Sequence, residues 1–415
     1  MKKLTALLLA LAAAGHISAL DLGNLSLGGG VKTGFQMRNS DYAGTLEGVA
    51  HGAEYPLTLF FASRENDAYN GEGWLNFGYA EENWGLGLGA WSHGDIQKYE
   101  DTLHLGDHYF WVNFFDKRLR IIGGQGGGTP ISSGGWVNAD WLSYTGLRLF
   151  WVDPSGLSAG INFTAPEAAG IKPVDYLSTI MAGVRYDAGT FWLAFMIANS
   201  PIYDDSESNY DGGIHDRGEK IAQAGNIAFG LGTSLLGNRL NLALDGMATN
   251  LGEDDVPTDG PGNYKISPVE MTLALKGGFS ITERLYTELK LKHTISNGDN
   301  AEDTASSVWG CFAFEPYAGY QLYDFLKLQI SFNLNYYINS YYLALDCSPV
   351  ANRTLKAGQA PPYPWAYDYY SRYLCSVEPG MVFTVFGATV VVGYKGTFSR
   401  DHVENSLYAD FRWAF

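Results

Sequence analysis

The feature that most constrains this chain is a strict two-residue alternation sustained over strands long enough to cross a bilayer. At the end of the sequence, Leu407, Ala409, Phe411, Trp413 and Phe415 fall on one side, and Tyr408, Asp410 and Arg412 on the other. Residues 326–339 repeat the pattern, with Leu326, Leu328, Ile330, Phe332, Leu334, Tyr336 and Ile338 alternating with Lys327, Gln329, Ser331, Asn333, Asn335, Tyr337 and Asn339. Segments 269–276 and 285–295 do the same, and 25–37 opens the series. A period of two with one apolar and one polar face is that of a β-strand between two different media. A soluble sandwich alternates in shorter pieces. Strands of this length suit a tilted crossing of an apolar band roughly 25 Å thick.

Counting turns fixes the architecture. Tight connections fall at 81–83, 115–118, 153–156, 187–189, 236–238, 280–283, 322–324 and 386–388, several carrying the Gly, Asn or Asp that turns need. Eight hairpins plus a first and a last strand that close on each other predict an all-β, antiparallel up-and-down transmembrane barrel of about 18 strands, with 16 as the alternative. The segments between hairpins are long and polar, as in 200–220, 249–267 and 296–307. Short turns at the periplasmic end, with both termini there, and long loops outside are the expected layout. Residues 121–141, Gly-rich and irregular, and 54–63 resist assignment. A barrel of either size exceeds the eight strands whose side chains fill the interior, so a lumen is expected.

The start of the chain reads as a secretory leader over 1–19. Lys2 and Lys3 precede an apolar stretch, 4–14, and Ala19 closes a cleavage site. Residues 20–415 are then expected to be a single barrel domain, with no plug before it and no domain after it. Charged residues are only 17% against about 25% in ordinary globular chains, yet beyond the leader no apolar run reaches the roughly 18 residues of a membrane helix. A formal net charge of −17 excludes general nucleic-acid affinity. Three cysteines are too few for a disulfide scaffold; Cys347 and Cys375 either pair or stay as buried thiols.

No catalytic motif is present, so an enzyme is not expected, nor is a cofactor or a metal. The glycine run 123–128 precedes no helical pattern and reads as a flexible loop. His93, His104 and His108 share one outer loop region without ligand spacing. The working surface is instead the lumen. Alternation places Lys32, Arg148, Arg185, Arg239, Lys276, Glu288, Lys290, Lys292, Lys327, Asp410 and Arg412 on the inner wall, alongside Arg120, Lys395, Glu72, Asp245, Glu270, Glu315 and Glu378. That wall is mildly basic, which favours anions unless the charges pair across strands. Acidic outer loops, such as the one with Asp204, Asp205, Glu207 and Asp211, oppose anion entry. Segment 341–373, with Trp365, Tyr367, Tyr369 and Arg372, is the candidate constriction or binding loop. Segment 39–71 is expected to be buried in the barrel or between subunits. Trp84, Trp91, Trp111, Trp151, Trp192, Tyr320, Tyr336 and Tyr394 suit the aromatic girdles at the membrane interfaces.

With its leader, alternating strands, turn-and-loop asymmetry and final aromatic, the chain resembles the bacterial outer-membrane porin class. Phe411, Trp413 and Phe415 resemble the closing signature that the β-barrel assembly machinery reads. The aromatic style also resembles, less closely, spirochaete outer-membrane proteins. The resemblance implies an outer-membrane location in a diderm bacterium, contact with lipid, and a passive channel for small hydrophilic solutes or ions, trimeric or monomeric. The alternatives are a transporter for hydrophobic compounds, similar to the long-chain fatty acid class, and a surface adhesin or structural antigen.

Overall fold

The computed structural model describes residues 20–22, 24–42, 55–60, 69–95, 101–143, 146–163, 180–203, 209–211, 214–216, 220–251, 269–298, 307–338, 340–343, 348–351, 370–371, 373–385, 387–399 and 402–414. Eighteen strands close into one antiparallel barrel. They are β1 (Leu25–Tyr42), β2 (Tyr69–Ala80), β3 (Trp84–Asp95), β4 (Asp101–Phe114), β5 (Leu119–Gln125), β6 (Gly146–Val152), β7 (Leu157–Phe163), β8 (Ile180–Asp187) and β9 (Phe191–Tyr203). They continue as β10 (Lys220–Leu235), β11 (Leu240–Leu251), β12 (Val269–Ser280), β13 (Leu285–Gly298), β14 (Ser307–Tyr323), β15 (Leu326–Ile338), β16 (Tyr373–Val385), β17 (Ala388–Phe398) and β18 (His402–Ala414). The count of 18 expected from the turns is the count observed.

Each strand pairs with its successor, and β1 returns to pair with β18 from Gly30↔Ala414 to Tyr42↔His402. The other edge of β1 is shared. β2 covers Leu25–Lys32, and the short strand Tyr55–Phe60 covers Gln36–Ser40. Segment 54–63, unassigned by pattern, therefore contributes a strand along β1. Leu20–Leu22 folds back on the start of β1.

All eight expected tight turns join successive strands. Two are alike in detail. Phe115, Asp116 and Lys117 all take positive φ (52°, 53°, 68°), as do Leu236, Gly237 and Asn238 (54°, 64°, 67°). Left-handed residues supply the twist that joins two antiparallel strands tightly, and only one of these six is glycine. The third look-alike, at 282–285, is built differently. The Thr282 hydroxyl oxygen accepts hydrogen bonds from the amides of Arg284 (3.2 Å) and Leu285 (2.9 Å). In the 153–156 turn, the Ser155 amide donates to Asp153 at 2.9 Å and holds that carboxyl below its usual titration range.

The wall is two-faced along every strand. On β12, Met271, Leu273 and Leu275 stand exposed on the outside, while Thr272 and Ala274 are buried inside. On β18, Leu407 and Phe411 face out and Tyr408 and Asp410 face in, as the alternation requires. Trp84 and Trp151 are exposed beside short turns, and Tyr320 and Tyr336 are exposed on the outer face, all fitting an aromatic girdle. Trp91, Trp111 and Trp192 depart from the girdle expectation. Strand parity turns them inward, where two of them roof rows of glycine: a Cβ at Gly85 would meet the Trp111 ring at 2.7 Å, and one at Gly232 the Trp192 ring at 2.5 Å.

The two faces predict opposite tolerances. Leu273→Arg, at the middle of β12 on the outer face, should cost about 2–4 kcal/mol in reversible folding into vesicles. Thr272→Ser, one residue away on the inner face, should cost under about 1 kcal/mol. Equal costs would contradict the assigned faces.

Candidate functional site

The interior is not empty. After Gln125 the chain leaves the wall, runs through residues 126–140 and a single 3₁₀ turn at Trp141–Ser143, and re-enters the sheet at Gly146. This is the stretch whose sequence resisted assignment. Its glycines make the reversal possible: Gly124, Gly126, Gly127 and Gly128 all have positive φ (108°, 93°, 82°, 68°). The carbonyls of Gly124 (3.3 Å), Gly126 and Gly128 (3.5 Å) accept hydrogen bonds from the guanidinium of Arg148 on β6. Arg148, expected on the pore surface, is instead fully buried and bonded to the base of the loop. The glycine run is thus a shaped turn around a cation rather than a free loop.

A second anchor lies farther along. Asp245, fully buried on the inner face of β11, accepts three hydrogen bonds from the loop. They come from the Ser133 hydroxyl (3.1 Å), the Trp136 amide (3.0 Å) and the Asn138 amide (2.7 Å). Ser133 Oγ in turn accepts from the Ala139 amide at 2.7 Å. A chain segment inside a barrel lacks a ladder partner, so side chains must satisfy its amides. A carboxylate receiving three donors does this with its charge spread over short bonds. Arg185 adds a third anchor: it donates to the Ser132 carbonyl at 3.1 Å while its guanidinium lies 4.4 Å over the Trp192 ring.

The underside of the loop is apolar. Ile131, Ala139 and Leu142 pack with Ile122, Phe150, Met196 and Ala228 of the wall into the one fully dry cluster among the described residues. The wall makes room by using small inward residues there. A Cβ on Gly230 of the wall would sit 1.9 Å from the Ser133 carbonyl oxygen, and on the loop side one on Gly135 would sit 2.2 Å from the Asp245 carboxylate.

The loop reaches as far as β13. The Trp136 ring lies 4.7 Å from Lys292 Nζ and 5.8 Å from Lys290 Nζ. Beside it runs an alternating ion row: Lys276–Glu288 at 3.5 Å, Glu288–Lys290 at 3.5 Å and Lys290–Glu315 at 3.7 Å, with Asn333 donating to Glu315 at 2.8 Å. Lys276, Glu288, Lys290 and Lys292 therefore do meet on one face, and most of that charge pairs across strands.

The remaining expected wall residues are spread around the barrel. Lys32 stands in register between Glu72 and Arg412, and Arg412 lies 5.4 Å over the Trp74 ring. Lys327 lies 5.9 Å over Tyr317, and Asp410 is buried on the inner face. Arg239 sits at the short-turn rim rather than along the wall, because its guanidinium donates to the carbonyls of Ser280 (3.0 Å) and Ile281 in the neighbouring turn. Trp365, Tyr367, Tyr369 and Arg372, the expected constriction, lie outside the described residues, as do Phe415, Cys347, the leader and the acidic run 204–208. Cys311 and Cys375 are free, half-buried thiols. Among the described residues no three His, Cys, Asp or Glu side chains converge as metal ligands.

Sequence reasoning placed Asp245 on the inner face but missed its role, and missed Ser133, Trp136 and Gly230 altogether. The one available signal was the run of small inward residues on neighbouring strands, Ala194, Ala198, Ala228 and Gly230, which leaves space beside the wall.

No protein-family model and no curated protein sequence matches the chain. Among solved structures, OpdL of Pseudomonas aeruginosa is similar over 95% of this chain and 99% of its own, at 12% identity and a TM-score of 0.53. The outer-membrane channel DcaP of Acinetobacter baumannii is matched over 97% of this chain and 99% of its own, at 11% identity and a TM-score of 0.47. Salmonella typhi OmpF, solved with daunomycin, is matched over 94% and 98%, at 10% identity and 0.46. The likeness to OpdL is one of fold.

The anchors predict a releasable loop. Asp245→Ala leaves a hydroxyl and two amides without their acceptor, a loss on the order of 3 kcal/mol. The barrel should keep its β-sheet circular dichroism while limited proteolysis cuts within 126–143. Gly230→Ala should do the same by overlap with Ser133. Wild-type resistance in both variants would contradict the docking.

Proposed function

We propose that the chain is an outer-membrane channel for the passive diffusion of small hydrophilic solutes or ions in a diderm bacterium. The observation that carries this reading is the combination of a closed 18-strand barrel, apolar outside, with a loop fixed against one side of its polar interior. The loop packs along the β4–β13 side, so solutes would pass between it and the inner face of β14–β18 and β1–β3. The exposed outer face meets lipid, and the short turns face the periplasm. Delivery is by the leader and the barrel assembly machinery. The assembled state is a monomer or a homotrimer.

Trp136 is the narrowing side chain in this reading. It projects from the loop to the Lys290–Lys292 pair, and the ion row behind it sets the local field. Lys276 and Lys290 are offset by Glu288 and Glu315, which leaves Lys292, against the ring, as the cation that tips the balance toward anions. A buried field of this kind acts on a passing ion more strongly than surface charge, because the wall excludes water.

Single-channel recording in a planar bilayer under a salt gradient tests this. Discrete conductance steps are expected. Trp136→Ala should raise the step size. The Lys290→Gln, Lys292→Gln double variant should lower the anion-to-cation permeability ratio, since two cations are removed, Glu315 loses its lysine and Glu288 keeps only Lys276. A silent membrane with insertion confirmed would overturn the channel reading. An unchanged ratio would overturn the role of the lysines while leaving the channel.

A further inference from the structure

Between the inserted loop and the wall, at the short-turn mouth, lies a cavity of about 400 Å³. Its floor is apolar, formed by Ile122, Phe150, Pro130 and Val152, and its rim carries Lys117 and Arg120. No carboxylate lines it. Ile122 and Phe150 are fully buried, whereas Val152 and both cations remain open to the mouth.

The two cations differ in how they are held. Arg120 is fixed before any ligand arrives: its Nε donates to Asn113 at 2.9 Å, and its guanidinium lies 4.8 Å over the Trp111 ring. With one edge tied and one face stacked, the planar fork loses little freedom on binding an oxyanion. Lys117 sits on the turn beside the cavity and pairs with Glu82 at 3.7 Å, both side chains being largely exposed. An exposed pair at that distance is worth little and exchanges readily, so Lys117 can turn to an incoming anion. Thr129 does not compete for the ligand, because its hydroxyl is engaged with the backbone of Ile131 in both directions.

We propose that this cavity is a binding site at the channel mouth for a small organic anion, with a compact apolar body seated against Pro130 and Val152, above the buried Phe150 and Ile122, and a doubly charged oxyanion group, such as a phosphate monoester, held between Arg120 and Lys117. Two cations without a lining carboxylate match a dianion, and an apolar floor beneath a charged rim matches a body that inorganic phosphate lacks. The site deepens the channel reading by naming a solute class for its exit side. It rests on that reading only for placing the short turns at the periplasm.

The test is equilibrium binding to the folded full-length protein in detergent, with no current measured, so that a failed channel and a failed site give separate results. Phenyl phosphate is the probe, with inorganic phosphate as the charge alone and benzyl alcohol as the body alone. Phenyl phosphate should bind at least about tenfold more tightly than either. Arg120→Gln should weaken it about tenfold or more and Lys117→Gln several-fold. Val152→Trp, which fills the cavity from its open side without removing charge, should abolish it. Arg284→Gln, a cation on another short turn, should leave it unchanged, and circular dichroism confirms the barrel in each variant. Equal binding of phenyl phosphate and inorganic phosphate, persistence of binding in Val152→Trp, or equal weakening by Arg284→Gln would overturn the site in favour of a general field at the rim.

Discussion

Everything in this structure depends on the seam between β1 and β18. In hydrocarbon an unpaired strand edge leaves amides and carbonyls without water, at several kcal/mol each. Pairing Gly30–Tyr42 with His402–Ala414 removes that edge and fixes the barrel as a closed object. Closure at 18 strands then fixes the circumference, and a circumference that large creates an interior that wall side chains cannot fill. The inserted loop is a response to that geometry.

Inside the barrel the balance of forces is inverted relative to a soluble core. The outer face carries most of the large apolar side chains, while the inner face holds polar groups and small residues, with large apolar side chains gathered where the loop docks. The loop lies where both kinds of contact are available. Its apolar underside finds Phe150, Ile122 and Met196, and its backbone amides find Asp245. Burying an aspartate is costly unless its lone pairs are filled. Here three loop donors fill them, so the carboxylate and the loop hold each other in place. Arg148 repeats the arrangement with opposite sign, a buried cation whose two terminal nitrogens donate to glycine carbonyls.

The barrel was legible in the sequence because its information is local. Each strand's alternation, as in Leu326–Ile338 or Leu407–Trp413, states which medium lies on each side, and most tight turns carry their own Gly, Asn or Asp. The loop was not legible because its determinants are remote. Asp245 lies more than a hundred residues from the amides it receives, and no periodicity marks a segment that docks through its backbone. The inward tryptophans are an intermediate case. Trp192 sits one residue from Leu193, and parity alone puts it on the opposite, inner face; its aromatic character suggested an interfacial girdle instead. Arg239 shows the limit of extrapolating alternation past a strand end, where a turn carbonyl is the nearer partner.

The central claim is that the loop bearing Trp136 stands in a water-filled path through a closed wall. It is tested most directly by recording single-channel current from a Trp136→Cys variant, with Cys311, Cys347 and Cys375 replaced by Ser, while a bulky water-soluble thiol reagent is added. A loop in the conducting path predicts an abrupt, lasting fall in current on modification. Complete modification with no change in current would contradict it.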